Sequence, residues 1–155
     1  MPPTHDEITA LRNESIGRIF LRLYRDFQVR CAPKLAARGH DSLSEAHLNV
    51  LIHLDSGGTR IVMLAERANM TKQSMGDLIR DLEGQGYVER SEDPSDKRAS
   101  IIQFTERGRQ FLVDAYEIKL EMEAEYSAIL GKENMEQFFS LAWKLLEHAT
   151  DEPLS

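Results

Sequence analysis

The fold of this chain is decided by residues 61–105, which read IVMLAERANMTKQSMGDLIRDLEGQGYVERSEDPSDKRASIIQFT. The stretch predicts a two-turn helix over residues 61–68, a turn at Asn69, and a longer helix from Lys72 to about Gln85. Thr71 is placed to cap the free N–H groups of the longer helix. At ~100° per residue, one side of that helix is an apolar stripe and the other is a free face. The stripe consists of Met75, Leu78, Ile79 and Leu82, and the free face of Gln73, Gly76, Asp77 and Arg80.

A charged hairpin follows the longer helix. Gly84 and Gly86 end the helix, residues 87–90 and 100–104 have the composition of β-strands, and residues 92–98 between them are too polar to pack. Short helix, tight turn, second helix and hairpin in this order are the plan of a winged helix-turn-helix, whose second helix enters the major groove of DNA. We therefore predict a mainly α fold with a small β-hairpin wing, and binding to double-stranded DNA.

Size and composition fit one globular domain. The chain has 155 residues, 41% of them hydrophobic and 29% charged, and no apolar run approaches the ~20 residues of a membrane span. Its first residues lack the basic-then-apolar layout of a secretory signal. Cys31 is the single cysteine, so no intrachain disulfide can form. We expect a cytoplasmic protein with no membrane partner.

The net charge of −7 is unusual for a DNA-binding protein, and its distribution matters. Residues 1–58 carry seven basic and seven acidic side chains, and residues 59–109 carry nine of each. Residues 110–155 carry three basic and ten acidic side chains. The acidic excess therefore lies in the last third, which we expect to face away from the phosphates.

Helices are predicted on both sides of this module. Residues 8–37 have an apolar stripe at helical spacing, although Pro33 makes the last turns of that helix doubtful. Ser44 is a good cap for a second helix, which we expect to stop at residues 56–58. Thr105 is placed to cap a third helix that runs to about Leu130. After Gly131 a last amphipathic helix follows, with apolar residues at helical spacing over residues 135–146.

The length of the flanking helices predicts a dimer. A helix of ~25 residues is nearly 40 Å long, which exceeds the diameter of so small a domain. The domain alone therefore cannot bury the whole apolar stripe of such a helix. A second copy of the chain is the simplest partner that would bury the rest of the stripe. A two-fold dimer also presents two recognition helices, predicted from Lys72 to about Gln85 in each copy, to one duplex. We divide the chain into an N-terminal dimerisation helix (residues 8–38), a winged helix-turn-helix module (residues 43–109) and C-terminal dimerisation helices (residues 110–150).

Three motifs occur in succession within residues 64–108: MTKQSMGDLIRDLEGQGYVER, then DPSDKR, then FTERG. Together they resemble the MarR family of bacterial transcriptional regulators, whereas the flanks agree with that family in layout only. The resemblance implies a homodimer that binds a pseudo-palindromic operator and usually represses transcription. It also implies that Arg98 reaches into the minor groove and that Asp96 helps to hold the wing, although an isolated charged hairpin is also compatible with a solvated turn.

The recognition helix carries further candidates for DNA contacts. Lys72 and Ser74 suit phosphate contacts near its N-terminus, and Gln73 and Arg80 suit base edges. Other candidates for phosphate contacts are Arg60, Arg90, Lys97 and Arg107.

Two residues of this helix have open roles. Thr71 either caps the helix or donates to a phosphate. Asp77 is repelled by phosphates unless it accepts from a cytosine amino group or pairs with Arg80 or Arg90.

The residues that sense a signal are weakly marked. Cys31 either packs or senses oxidation. We predict no metal site: the helix after the wing has no His-x-x-x-His pair, although His40, His47 and Glu45 are a possible cluster. A small organic effector would bind near four residues, which are Tyr24, His53, Phe111 and Tyr116.

Two other function classes compare poorly with DNA binding. A winged helix can dock proteins without reading DNA, but here the free face of the recognition helix is polar. An enzyme is disfavoured because the sequence has no Gly-rich phosphate loop, no nucleophile elbow and no paired acids in an evident cleft. We therefore predict a ligand-responsive repressor without a cofactor.

Overall fold

A computed structural model describes residues 15–148, apart from the side chains of Lys97 and Arg98. The chain divides between Asp41 and Ser42 into two compact units, which are described separately. Within residues 15–148, no helix is both long enough and apolar enough to cross a membrane.

The first unit contains helix α1 (Ile16–Ala37). The helix continues through Pro33, so the predicted weakness of its last turns was wrong. Proline removes one N–H donor, but the helix end is closed by N–H groups of Arg38 and His40 that donate to the Leu35 carbonyl at 3.1 and 3.0 Å. The predicted start of this helix near Ile8 lies outside the described residues.

The second unit contains five helices and three strands within its described residues, 42–148. In chain order they are α2 (Glu45–Ile52), β1 (Thr59–Arg60), α3 (Ile61–Arg67), α4 (Lys72–Gly84), β2 (Val88–Asp93), β3 (Asp96–Phe104), α5 (Glu106–Leu130) and α6 (Lys132–Glu147). The strands form an antiparallel sheet in the order β1-β3-β2. This confirms a mainly helical fold with a small β wing.

Helix α2 ends at Ile52, several residues before the glycines where the sequence placed its end. The next residues form a turn instead, because Thr59 Oγ1 accepts the Asp55 N–H and donates to its carboxylate, both at 3.0 Å. Arg67 of α3 reaches the same carboxylate at 2.9 Å. The hydrogen bond from Arg67 is the main cause that lowers the pKa of Asp55, and the one from Thr59 follows. Side-chain hydrogen bonds therefore replace a last turn of helix and tie α3 to this loop.

Strand β1 and the true length of the wing were not predicted. Strand β1 is only two residues long, and its Thr59 pairs with Ile102. The strands of the wing extend to Asp93 and from Asp96, well into the segment that we expected to be too polar to pack. That expectation was wrong because Asp93 is buried and satisfied by hydrogen bonds.

The buried side of α4 forms the core of the winged module. Met75, Ile79 and Leu82 are fully buried, as the periodicity predicted, whereas Leu78 is half-buried. Asn69 adopts a φ of 50° in the turn before α4, as expected for a residue that tolerates the left-handed region. The core thus fixes which side of α4 faces outward.

Helix α5 begins next to the C-terminal end of α4, which is the predicted recognition helix. The Thr105 side chain accepts the N–H of Gly108 at 3.1 Å, which confirms its capping role, and donates to the carbonyls of Gly86 and Tyr87 at 2.5 and 3.1 Å. These bonds connect the C-terminal end of α4 to the first turn of α5.

Candidate nucleic-acid interface

The N-terminus of α4 is capped and exposed. Thr71 Oγ1 accepts the Ser74 N–H at 3.1 Å, so the capping role of Thr71 is confirmed, and its hydroxyl lies 2.9 Å from the Ser74 hydroxyl. Lys72, Gln73 and Ser74 are all exposed in the first turn. The end of α4 therefore offers partial positive charge, a lysine and two hydroxyls at one place, which suits a phosphate.

Further along the same side of α4, Arg80 and Asp77 form an ion pair. Arg80 also donates to the Gly76 carbonyl at 3.4 Å. The side chains of Arg80 and Asp77 are 71% and 57% exposed, so the pair stands in solvent rather than in the core. Of the partners that the sequence left open for Asp77, the structure brings Arg80 to it, which holds the guanidinium on the outer face.

The wing is fixed to the module through Asp93. The Arg60 guanidinium donates to the Asp93 carboxylate at 2.5 Å, and the Ser95 hydroxyl and backbone N–H donate to it at 2.7 and 2.8 Å. These groups, with the Ser95 hydroxyl first, lower the pKa of Asp93 from 3.8 to about 2. Arg60 also donates to the Ser95 hydroxyl at 2.9 Å. Three side chains thus join the start of α3 to the wing tip.

The resemblance assigned the holding role to Asp96, whereas the described contacts assign one to Asp93. Asp96 is exposed at the start of β3 and lies opposite Asp93 in the ladder. The sequence contained the signal for Asp93, because an aspartate two residues before a serine favours a turn closed by its own side chain. Lys97 and Arg98 belong to β3 by their backbone, and their side chains lie outside the described part of the chain.

Two arginines that the sequence suggested as phosphate contacts bind other residues of the chain itself. Arg90 pairs with Glu83 of α4, with nitrogen–oxygen distances of 3.2 and 3.4 Å. Arg107 donates to the Gln85 carbonyl at 2.7 Å and lies 4.4 Å above the centre of the Tyr87 ring. Both therefore hold the C-terminal part of the recognition helix.

The four residues named for an effector have different environments. Phe111 is buried and packs edge-to-face on Tyr87, with 6.1 Å between the ring centres, so it belongs to the core. Tyr24 and Tyr116 are exposed, on α1 and α5, and His53 ends α2. A binding site at these residues stays a prediction.

The metal and cysteine candidates gain no support. Within residues 15–148, histidine, cysteine and carboxylate side chains form no group of three that could hold a metal ion. Cys31 is half-buried on α1 and, as the single cysteine, forms no intrachain disulfide.

Proteins whose sequences resemble this chain include regulators of transcription. The MarR family model matches residues 42–99. The transcriptional regulator HosA of Escherichia coli O111:H- is 32% identical over 92 residues, which are 59% of this chain and 68% of HosA. The uncharacterised regulator YdcH of Bacillus subtilis is 33% identical over 86 residues, which are 55% of this chain and 56% of YdcH.

Solved structures agree at the level of the fold. Wild-type MarR from E. coli superposes with a TM-score of 0.71 at 18% identity, over 85% of this chain and 96% of MarR. The F27L mutant of S. aureus MepR, solved bound to an oligodeoxyribonucleotide, has a TM-score of 0.61 at 21% identity, over 88% of this chain and 99% of MepR. With HosA matched over two thirds of its length and a winged module in place, the chain belongs to the MarR family and is a transcriptional regulator rather than an enzyme.

Proposed function

We propose that this regulator is a sequence-specific repressor that binds a pseudo-palindromic operator in double-stranded DNA as a homodimer. The polar outer face of α4 carries the proposal. Met75, Ile79 and Leu82 on its apolar side are fully buried, so the exposed Lys72, Gln73, Ser74 and Arg80 face outward. The MepR structure with an oligodeoxyribonucleotide supports this use of the fold.

Each residue of the outer face has a distinct proposed role. Lys72 and Ser74 contact phosphate at the helix N-terminus, where the free N–H groups add to the attraction. Gln73 and Arg80 reach base edges in the major groove. Asp77 orients Arg80 by its ion pair, which limits the rotamers of the guanidinium before it meets a base.

The wing supplies the second contact in the proposal. Lys97 and Arg98 approach the DNA backbone and the minor groove. A narrow minor groove has an enhanced negative potential, which attracts a guanidinium. Asp96 stays a proposed support of the wing. We reassign Arg60 from phosphate contact to support of the wing, because its guanidinium is engaged by Asp93 and Ser95.

The proposed homodimer is supported by apolar side chains that the single chain leaves exposed. Helix α1 has no buried residue. Its exposed large apolar residues are Ile16, Ile19, Phe20, Leu21, Leu23, Tyr24, Phe27 and Val29. Helices α5 and α6 expose Leu112, Val113, Tyr116, Leu120, Ile129, Leu130, Phe138, Phe139, Leu141, Trp143, Leu145 and Leu146. So much exposed apolar surface is unusual for a monomer and calls for a partner.

The effector and the location remain parts of the proposal. For a small organic effector, the exposed candidates are Tyr24 on α1 in the first unit and Tyr116 on α5 in the second unit. His53 and Phe111 are the other two candidates, and Phe111 would contribute only if the core opened. We further propose that the protein works in the cytoplasm, where a bacterial operator is found.

Selection of bound genomic fragments tests DNA binding directly. The purified chain is mixed with sheared genomic DNA, bound fragments are sequenced, and the affinity for the best fragment is measured by fluorescence anisotropy. We expect a fragment with an inverted repeat and an affinity that falls steeply as salt rises. Recovery of random fragments only would contradict DNA readout and favour the alternative, a winged helix that docks another protein.

A variant pair links that binding to α4. Arg80→Ala removes a proposed base contact, so its affinity for the selected fragment should fall about tenfold or more, with a smaller loss on random DNA. Lys132→Ala is the matched control, because it also removes one positive charge but lies at the start of α6 with its side chain 86% exposed. Equal losses in the two variants would rule out base contact by Arg80.

A further inference from the structure

We infer that His47 is a positioning residue for the recognition helix, which it orients through Asp81 so that the operator is distinguished from other DNA. The inference rests on the proposed DNA-binding function and adds a residue of α2 that does not itself reach DNA. His47 is buried, with a relative exposure of 6%.

His47 belongs to a capping box at the start of α2. The Ser44 hydroxyl accepts the His47 N–H at 3.3 Å, and His47 Nδ1 accepts the Ser44 N–H at 3.1 Å. Histidine here takes the place that glutamate or glutamine usually occupies three residues after the capping serine. One nitrogen of the ring is thereby fixed as an acceptor.

The other ring nitrogen faces the recognition helix. His47 Nε2 lies 2.9 Å from the Asp81 carboxylate of α4. A neutral imidazole has one donor and one acceptor, so acceptance at Nδ1 places the proton on Nε2, where it is donated to Asp81. A single tautomer satisfies both contacts, and the ring connects the start of α2 to α4 in one orientation.

A second bond acts one turn further along α4. The Ser42 hydroxyl donates to Gln85 Oε1 at 2.8 Å. Asp81 and Gln85 are four residues apart, so they lie on the same side of the helix surface. The segment that leads into α2 therefore holds α4 at two points.

These bonds add what the core alone does not provide. Met75, Ile79 and Leu82 anchor α4 by apolar contacts, which are non-directional and tolerate small rotations of the helix. Hydrogen bonds are directional and resist such rotation. Because side chains that read a partner must be held within about 0.5 Å, the orientation of α4 affects base contacts more than phosphate contacts.

Two variants break the connection from either side. His47→Asn keeps an amide oxygen near the position of Nδ1, so the capping box can persist, but its side chain is too short to reach Asp81. Asp81→Ala removes the acceptor, and because the Asp81 side chain is 63% exposed its loss leaves no buried gap. Glu66→Gln on the exposed surface of α3 is the control for loss of one negative charge.

The measured quantity is the ratio of affinities for the selected operator and for random DNA of equal length. We expect each variant to lower this ratio about fivefold and the double variant to lower it no further, because both remove one hydrogen bond. Loss of a carboxylate raises the affinity for operator and for random DNA alike, so this gain cancels in the ratio. Glu66→Gln should therefore leave the ratio unchanged. A ratio unchanged in both variants, with the wild type still selective, would overturn the inference and not the DNA-binding function.

A spectroscopic measurement without DNA completes the test. In the full-length protein, NMR of the histidine ring should show a proton on Nε2 of His47 that exchanges slowly with water and an unprotonated Nδ1. Asp81→Ala should make that proton exchange fast without changing the fold seen by circular dichroism. A proton on Nδ1, or a slow Nε2 proton that survives Asp81→Ala, would overturn the inference even if no operator were found.

Discussion

Single side chains attach the wing to the rest of the module. Asp93 is buried at the wing tip and accepts three hydrogen bonds from Ser95 and Arg60. The same carboxylate would be costly to bury if those donors were absent. The position of the wing therefore depends on the ionised form of one residue.

The pH dependence of Asp93 follows from its lowered pKa. The ordinary value is 3.8 and the folded value is about 2, so ionised Asp93 stabilises the folded wing above about pH 4. That contribution should be lost as the pH falls from about 4 through about 2. Carbon-13 NMR of the Asp93 carboxyl group measures the folded pKa, and Arg60→Ala should raise it. A wild-type midpoint near 4 would contradict the wing contacts.

Gly108 gives a prediction in which two effects oppose each other. Alanine favours helices by ~1 kcal/mol over glycine, but a Cβ at Gly108 would overlap the Tyr87 carbonyl and lie 2.9 Å from the Phe104 ring. We expect the clash to dominate, so that Gly108→Ala lowers the free energy of unfolding by ~1–3 kcal/mol in urea denaturation. Gly76→Ala is the control, because its Cβ would meet nothing within 4 Å and should not destabilise.

At the scale of elements, the sequence predicted those whose start and period are both local. The apolar stripe of α4 and its cap at Thr71 were read from neighbouring residues, and both are observed. The two-residue β1 was missed because it depends on the pairing of Thr59 with Ile102, which become neighbours only in the fold. The end of α2 was missed for another reason: we placed it at the glycines, although the side-chain bond between Asp55 and Thr59 spans only four residues.

The candidate site divides in the same way. The exposed side of α4 follows from helical period alone. The ion pair of Arg60 with Asp93 joins residues 33 positions apart, and the contact of His47 with Asp81 joins two helices. No local pattern marks these contacts, so Arg60 was assigned to phosphate and His47 to a possible metal cluster.

The cap of the recognition helix is testable by itself. Thr71→Ala should lower the free energy of unfolding by about 1 kcal/mol, because the Ser74 N–H loses its acceptor. Thr71→Ser should restore most of that stability in thermal denaturation. If Thr71→Ser also restores the DNA affinity that Thr71→Ala loses, the hydroxyl is required for stability and for DNA binding. An alanine variant as stable as the wild type would contradict the cap.

At the scale of the whole molecule, the acidic excess lies in the C-terminal part of the chain, where α5 and α6 also expose large apolar side chains. Residues 110–155 carry three basic and ten acidic side chains, while the winged module is balanced. If that segment approached DNA, its carboxylates would be repelled by the phosphates. Contact between two copies of the chain instead buries its apolar side chains. The proposed arrangement therefore places the DNA and the second copy on different surfaces.

Trp143 is the single tryptophan and reports on dimer formation. Its side chain is 62% exposed in the isolated chain, on the apolar surface of α6. Burial by a second copy should shift the Trp143 fluorescence to shorter wavelength. Dilution or Leu145→Glu should reverse that shift, and sedimentation should then show monomers. Lys132→Ala should leave both signals unchanged. A monomer at micromolar concentration would refute the homodimer.

The central claim is that two copies of α4 read one duplex. Sedimentation equilibrium of the chain with a short fluorescent duplex, which carries one selected inverted repeat, measures it most directly. We predict two chains per duplex and dissociation as salt rises, with no stable complex when one half-site is scrambled. One chain per duplex, or equal binding to the intact and scrambled duplexes, would contradict it.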